Sequence, residues 1–274
     1  AESRVKLLAA LEDSARDKPS FSVVARPGWA AGLESFVHPS GSVGHAQRIV
    51  EFSPSDKQAQ YYGKFQVRGV ARQWREGPGA LHCGNSLGIT LAAAGLASPL
   101  LLPMEESNFA VCVVGQPASG KSSWLVAASS QWGAHLNAQK AKQLGAGESA
   151  NYTLNSLEEL FAAHNDAGLV VDDFRSLRGA GNPVDIIEQL AFALSDGEER
   201  GRQTSARAPE RFRVVLLTSA NHSLQAKVAG SSKTVDRAFL DRLIEIPLPL
   251  ERSSVEEFHG SRGLDQFCDR LRSR

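Results

Sequence analysis

The residues with the clearest chemistry form one phosphate-binding motif. Positions 115–122 read Gly-Gln-Pro-Ala-Ser-Gly-Lys-Ser, an unbroken G-x-x-x-x-G-K-S. Glycines let such a loop turn its backbone N–H groups toward phosphate oxygens, and the amino end of the next helix adds the positive end of its dipole. Lys121 would neutralise the β- and γ-phosphates, and the Ser122 hydroxyl would ligate Mg²⁺. The predicted nucleotide-contacting set is Gly115, Gln116, Pro117, Ala118, Ser119, Gly120, Lys121, Ser122 and Ser123.

An acidic pair follows a second apolar run. Leu169 to Val171 leads directly into Asp172 and Asp173. Asp172 would hold Mg²⁺ through water, and Asp173 stands where a glutamate commonly polarises the attacking water. Because aspartate is one methylene shorter than glutamate, either the water would lie closer or hydrolysis would be slow. Adjacent acids that only cap a turn are the alternative interpretation.

Polar and basic residues accompany two further apolar runs. The run at 214–217 is followed by Ser219 and Asn221, which could sense a γ-phosphate or position water, or could be ordinary turn formers. Arg237 and Arg242 come before a short apolar run that starts at residue 243. An arginine there, Arg242 above all, could reach the γ-phosphate of a neighbouring subunit as an arginine finger. Surface ion pairs with adjacent aspartates are the alternative.

The apolar runs must position these groups. Runs at 109–114, 169–171 and 214–217 are apolar on both faces and alternate with helical stretches, which is typical of a mostly parallel sheet covered by helices. The sequence therefore predicts an α/β fold of the P-loop NTPase kind. A capping box predicts a helix start at Ser156, and Asn182-Pro183 predicts another.

The first part of the chain has a different texture. Alternating apolar residues and Pro-Gly-Ser turns up to about residue 66 predict a β-rich region of small hairpins after a short helix in 1–16. Residues 69–102 predict two helices, interrupted near Pro78 and ended by Pro99. The predicted division is a β-rich region over 1–78 and a P-loop ATPase domain over 79–274.

Composition excludes several classes of protein. The 274 residues balance 30 Lys and Arg against 30 Asp and Glu, so any contact with nucleic acid must come from a local patch. The three cysteines lack CxxC spacing, which argues against a disulfide framework or zinc site and favours reduced, buried thiols.

Neither a membrane span nor a signal peptide is recognisable, which predicts a soluble cytoplasmic protein with no membrane partner. The chain begins with Ala and its only Met is internal, which predicts that it comes from a longer polypeptide.

Several short motifs, together with the P-loop, resemble the family catalogued as domain of unknown function nine-two-seven, found in phage and mobile-element primase-helicase proteins. They cover most of the chain between Gly28 and Leu248. The motifs are Gly28-Trp29, Phe36-Val37-His38-Pro39, Gly84-Asn85-Ser86, Pro99-Leu100, Ala127-Ala128-Ser129, Trp132-Gly133, His164-Asn165-Asp166 and Ala193-Leu-Ser-Asp-Gly197.

The resemblance implies an AAA+ ATPase related to minichromosome-maintenance helicases, in which Mg-ATP lies between the subunits of a homo-oligomeric ring, expected to be a hexamer. The family segment that supplies the finger maps onto Leu240-Asp241-Arg242. Two departures stand out, Asp172-Asp173 in place of Asp-Glu and Glu199-Arg200-Gly201-Arg202 in place of a Gly-Lys-x-Arg loop. The chain ends soon after Arg242, so the helical lid of such ATPases is expected to be truncated or absent.

A basic loop at 197–213 is the expected contact with DNA. A translocase needs cations in its pore that follow the phosphate backbone, and Arg200, Arg202 and Arg207 are the candidates. A solvated loop, in which neighbouring glutamates balance these arginines, is the alternative. The sequence thus predicts a ring-forming helicase or translocase that acts on single-stranded DNA, with an ATP-dependent assembly switch for protein partners as the rival interpretation.

Overall fold

The computed structural model describes residues 21–44, 49–55, 61–133, 148–149, 154–172, 211–230, 241–249 and 253–272, with residues 6, 10, 13, 14, 59, 187, 190, 191, 193–195 and 197. The sequence predictions for Asp173, Arg200, Arg202, Arg207, Arg237 and Asn182-Pro183 lie outside the described residues.

Five short strands precede the P-loop region among the described residues, and a β-rich region was predicted there. They are β1 Phe21–Val24, β2 Gly28–Ala30, β3 Ser35–His38, β4 Gly41–Gly44 and β5 Ile49–Phe52. Strands β2, β3 and β4 form an antiparallel sheet, which matches the expectation of hairpins. In contrast, β1 pairs with β5 in parallel, so these two strands are not a hairpin.

Helices then lead to the main sheet. Helix α1 covers Ala71–Glu76, and helix α2 covers Ser86–Ala97. Between them Gly79–His82 form a 3₁₀ turn, and Ser98–Leu100 form another after α2. The predicted break near Pro78 and the predicted end near Pro99 are therefore confirmed, because proline lacks the N–H that would continue a helix.

In the part of the chain that the structure describes, the main sheet has five parallel strands. These are β6 Phe109–Val114, β7 Glu148–Ser149, β8 Ala167–Asp172, β9 Val214–Ala220 and β10 Leu243–Pro247, in the spatial order β10-β6-β9-β8-β7. Each neighbouring pair is parallel, as the apolar runs predicted. Strand β9 therefore lies between the strand that precedes the P-loop and the strand that ends in Asp172.

Helices cover both faces of this sheet. Helix α3 is Lys121–Ser129, α4 is Leu154–Ala163, α5 is Leu224–Ala229 and α6 is Leu264–Arg272. One face packs against α4 and α5, and the other against α2, α3 and α6. Helix α4 begins two residues before Ser156, so the capping box predicted there is wrong.

The motifs that resemble the family dock the β-rich region onto this core. The Trp29 backbone N–H donates to Asp166 Oδ2 at 3.0 Å, and the Trp29 indole donates to the Pro99 carbonyl at 2.6 Å. His38 Nε2 donates to the Trp132 carbonyl at 3.0 Å. Burial raises the pKa of the Asp166 carboxyl above its ordinary value, and the Trp29 N–H opposes this. Segments far apart in sequence thus meet through their motif residues.

The cysteines are reduced, and two of the three are buried. All three cysteines are free, and Cys112 and Cys268 are buried. Cys83 is exposed, so the expectation of burial is wrong for this thiol, which lies in a surface turn before α2. Within the described ranges, every helix is too short or too polar to cross a membrane.

Gly28 offers a test of the docking contact. A Cβ on Gly28 would lie 2.3 Å from Asp166 Oδ2, whereas a Cβ on Gly41 would meet nothing within 4 Å; both residues have positive φ, +108° and +148°. We expect Gly28→Ala to lower the free energy of unfolding by about 2–3 kcal/mol more than Gly41→Ala, because only the former adds a clash. Denaturant unfolding measures both. Equal losses would contradict the docking contact.

Candidate functional site

The P-loop lies at the carboxyl edge of the main sheet. Residues 115–120 connect the end of β6 to the start of α3, and the Gly115 N–H donates to the Ala220 carbonyl at 3.0 Å. Two loop residues have left-handed backbone, Ala118 at φ 60° and Gly120 at φ 93°. Positive φ at these positions bends the chain sharply into the helix, the geometry that a phosphate-wrapping loop requires.

The Lys121 ammonium points back into the loop. Its Nζ donates to the carbonyls of Gly115 at 2.8 Å and Gln116 at 2.6 Å, and lies 3.3 Å from Ser119 Oγ. The side chain is only 6% exposed. A buried cation needs oxygen partners, and phosphate oxygens could replace these carbonyls.

The two serines after Lys121 have different surroundings. Ser122 is half-buried at the start of α3, the position from which a hydroxyl can reach a cation beside the loop. Ser123 is fully buried, and its Oγ accepts a hydrogen bond from Arg272 at 2.8 Å. The Ser123 hydroxyl is therefore engaged with α6 on the packed side of the helix.

Asp172 and two residues of the β9 region share the same edge. Ser219 Oγ donates to Asp172 Oδ1 at 2.6 Å, and Thr218 Oγ1 donates to the Val171 carbonyl at 2.6 Å. A hydroxyl bond of this length to a carboxylate is strong and fixes the carboxylate orientation. Asn221 is half-buried just after β9. The structure thus brings Lys121, Asp172 and Asn221 to the ends of three adjacent strands.

The turn that carries Asn221 is fixed by Glu245 of β10. This carboxylate accepts from the Ser223 hydroxyl at 2.6 Å and from the backbone N–H groups of Leu224 and Gln225. It therefore satisfies orphan donors at the amino end of α5. Beside this turn and Gly115 lies an open pocket of about 540 Å³, so the edge is accessible from the side of α5.

The environment beneath the loop is strongly apolar. Burial raises the pKa of the Cys112 thiol in β6 to about 12, with the Glu245 carboxylate adding to the effect. This thiol stays protonated and takes no part as a nucleophile.

Arg242 lies at the opposite end of the strands, where β6 and β10 begin. It directly precedes Leu243, which pairs with Ala110 at the amino end of β6, and its guanidinium donates to Ser195 Oγ. Strand geometry puts it about 15 Å from the P-loop of its own chain. An action of Arg242 on nucleotide therefore requires a second subunit.

A segment that sequence reasoning missed closes over α3. This C-terminal strap comprises residues 253–272 and includes α6, whose Phe267, Cys268 and Leu271 are buried. The periodic apolar positions 264, 267, 268 and 271 could have predicted the helix. The sequence of the strap does not indicate where the helix docks, because its partner α3 lies more than a hundred residues earlier in the chain.

Asn85 ties the strap to the start of α2. The side chain is fully buried, and its Nδ2 donates to the Leu81 and Glu257 carbonyls, each at 2.9 Å. Its Oδ1 accepts from the N–H groups of Glu256 at 2.8 Å and Glu257 at 3.0 Å. The amide therefore uses its full bonding capacity, which gives a structural reason for the motif Gly84-Asn85-Ser86.

The strand order, the P-loop and the acidic strand end together define a P-loop NTPase fold. Residues 1–210 match the family described as "Domain of unknown function (DUF927)". The chain belongs to this family, which confirms the resemblance that the short motifs indicated. No curated protein matches the sequence.

One solved structure shows the same fold. The active helicase Cch of SCCmec type IV matches with a TM-score of 0.58 at 16% identity, over 97% of this chain and 47% of that one. The present chain thus spans about half of that structure. The C-terminal region of NrS-1 matches at a TM-score of 0.39 with 10% identity, over 98% of this chain and 57% of that one. NtrX from Brucella abortus in complex with ADP matches at a TM-score of 0.34 with 12% identity, over 70% of this chain and 39% of that one.

Ser219 provides a test of how Asp172 is positioned. If Asp172 holds Mg²⁺, Ser219→Ala removes the hydrogen bond that orients it, and the Mg²⁺ concentration for half-maximal nucleotide turnover should rise about 10- to 100-fold. Thr218→Val is the matched control, since that hydroxyl contacts backbone rather than Asp172. A magnesium titration measures both variants. An unchanged titration for Ser219→Ala would contradict the positioning role.

Proposed function

We propose that this chain is an ATP-hydrolysing motor module of a phage or mobile-element replication protein, working as a ring-forming DNA helicase or translocase. The observation that carries the proposal is the convergence of Lys121, Ser122, Asp172 and Asn221 at one edge of a parallel sheet. These groups are a cation, a hydroxyl, a carboxylate and an amide, the set that triphosphate hydrolysis uses.

ATP would bind along the loop 115–122. Its β- and γ-phosphate oxygens would replace the Gly115 and Gln116 carbonyls around Lys121. Mg²⁺ suits the Ser122 hydroxyl and the Asp172 carboxylate, because it prefers a few hard oxygen ligands and keeps several waters. When bound, Mg²⁺ neutralises charge on the transferred phosphoryl group.

Asp173 and Asn221 would act on the attacking water. Asp173 follows the oriented Asp172 directly in sequence, and Asn221 stands at the end of the strand between the P-loop and the acids. In this role Asp173 accepts the water proton, while the Asn221 amide holds the γ-phosphate or the water.

The proposal includes a ring because the proposed arginine finger would act between subunits. Because Arg242 lies at the far end of the strands in its own sheet, it would complete the site of the adjacent subunit, and Arg237 is the second choice. Arg200, Arg202 and Arg207 would line the pore and contact the DNA backbone. The helicase activity of Cch, a protein with the same fold, supports this class of function.

An assembly switch is the second candidate, in which bound ATP drives association with protein partners without unwinding DNA. The observation in its favour is Asp173, since the shorter side chain favours slow hydrolysis.

Lys121→Ala tests the motor directly. Loss of the ammonium that neutralises the phosphates should reduce ATP turnover at least about 100-fold, measured as phosphate release. Arg72→Ala is the control, because it removes one exposed cation of α1 that pairs with Glu76 in the same helix. Turnover that survives Lys121→Ala would rule out the proposed site.

Mixed rings test the finger. If Arg242 acts across the interface, mixing Arg242→Ala with Lys121→Ala subunits should restore part of the turnover, because one of the new interfaces pairs an intact P-loop with an intact arginine. Each variant alone should be inactive. Turnover in the mixture equal to the sum of the two separate variants would show that the sites do not share residues.

A further inference from the structure

The C-terminal strap holds Ser254 directly against the P-loop. The Ser254 N–H donates to the Ser119 carbonyl at 3.1 Å, and the Ser254 carbonyl accepts from the Trp124 indole at 3.0 Å. One bond reaches the loop and the other reaches α3. The backbone of Ser254 is therefore fixed on both sides of the amino end of α3.

Within the described part of the chain, the Ser254 hydroxyl makes no hydrogen bond that would stabilise the fold. It is 4% exposed, and its Oγ has no hydrogen-bond partner among the described residues. A buried hydroxyl without a partner destabilises a folded protein, and alanine would fill the same space without that penalty. A partner for such a hydroxyl can be supplied by a bound ligand.

The hydroxyl lies against the last glycine of the loop, on the side where Leu264 and Cys268 also approach that glycine. A Cβ built on Gly120 would lie 2.4 Å from Ser254 Oγ, so glycine at 120 is what lets the hydroxyl approach the loop backbone. Gly120 caps the nine-residue helix α3 at its amino end. The first N–H groups of a helix lack intrahelical partners and attract phosphate.

We propose that Ser254 is a nucleotide-contacting residue, whose hydroxyl donates a hydrogen bond to a phosphate oxygen of the bound nucleotide. The strap then forms part of the binding site, and nucleotide supplies a partner for the Ser254 hydroxyl, which has none among the described residues. This inference rests on the proposed function, since it needs a nucleotide in the P-loop.

Ser253 supplies a matched control in the same segment. Its Oγ donates to the Val255 carbonyl at 2.9 Å, a contact within the strap itself. Ser253→Ala and Ser254→Ala each remove one hydroxyl, but only the second removes a group that faces Gly120.

The experiment measures ADP affinity by calorimetry with Mg²⁺ and the melting temperature without nucleotide, for the wild type and both variants. Ser254→Ala should weaken ADP binding about tenfold, the effect of one hydrogen bond to a charged group. Its melting temperature without nucleotide should equal or exceed that of the wild type, because an unpaired buried hydroxyl is gone. Ser253→Ala should keep the wild-type affinity.

Wild-type affinity in Ser254→Ala would overturn the inference, and so would a lower melting temperature with affinity unchanged. Equal loss of affinity in both variants would also overturn it, since the strap would then act through its fold alone. A wild-type protein that binds no nucleotide would overturn the proposed function itself.

Discussion

The position of the P-loop depends on the burial of Trp124. This side chain of α3 is 1% exposed, and its ring lies 5.3 Å from His82 and 5.5 Å from Phe267. A Cβ on Gly88 would come within 2.4 Å of it, so α2 approaches α3 at a glycine. A large aromatic ring with its N–H bonded contributes several kcal/mol of burial, roughly 3–5 by the cost of truncation. The segment before the loop and the strap after the sheet therefore converge on one side chain of the P-loop helix.

A second constraint is the solvation of Lys121. Its ammonium is buried and donates hydrogen bonds to two carbonyls of the loop. Phosphate oxygens can replace these carbonyls as hydrogen-bond partners, so that the ammonium is never left in an apolar environment. The Ser219 hydroxyl donates a hydrogen bond to the Asp172 carboxylate and so fixes its orientation. The charged groups of the proposed site are therefore oriented before a ligand arrives.

The P-loop and the parallel sheet could be predicted because their signals are local: a fixed spacing of glycines and lysine, and runs apolar on both faces. Residues 21–24 pair with 49–52 in parallel, which alternation alone cannot distinguish from a hairpin. The contacts of Trp29 with Asp166 and of Asn85 with Glu257 join segments more than a hundred residues apart, so single motifs gave no sign of their partners. The motif residues of the family could be identified from the sequence, but the contacts by which they join distant segments became visible only in the structure. Asp173 and the pore arginines lie outside the described residues and stay predictions.

The rate of ATP hydrolysis with and without single-stranded DNA tests most directly whether this chain is an ATP-driven motor that acts on DNA. A motor should hydrolyse ATP in a magnesium-dependent manner, and saturating single-stranded DNA should raise its rate several-fold, an effect that added salt should weaken because the grip is on phosphate. Magnesium-dependent hydrolysis that single-stranded DNA leaves unchanged at low salt would contradict the motor account and favour the assembly switch.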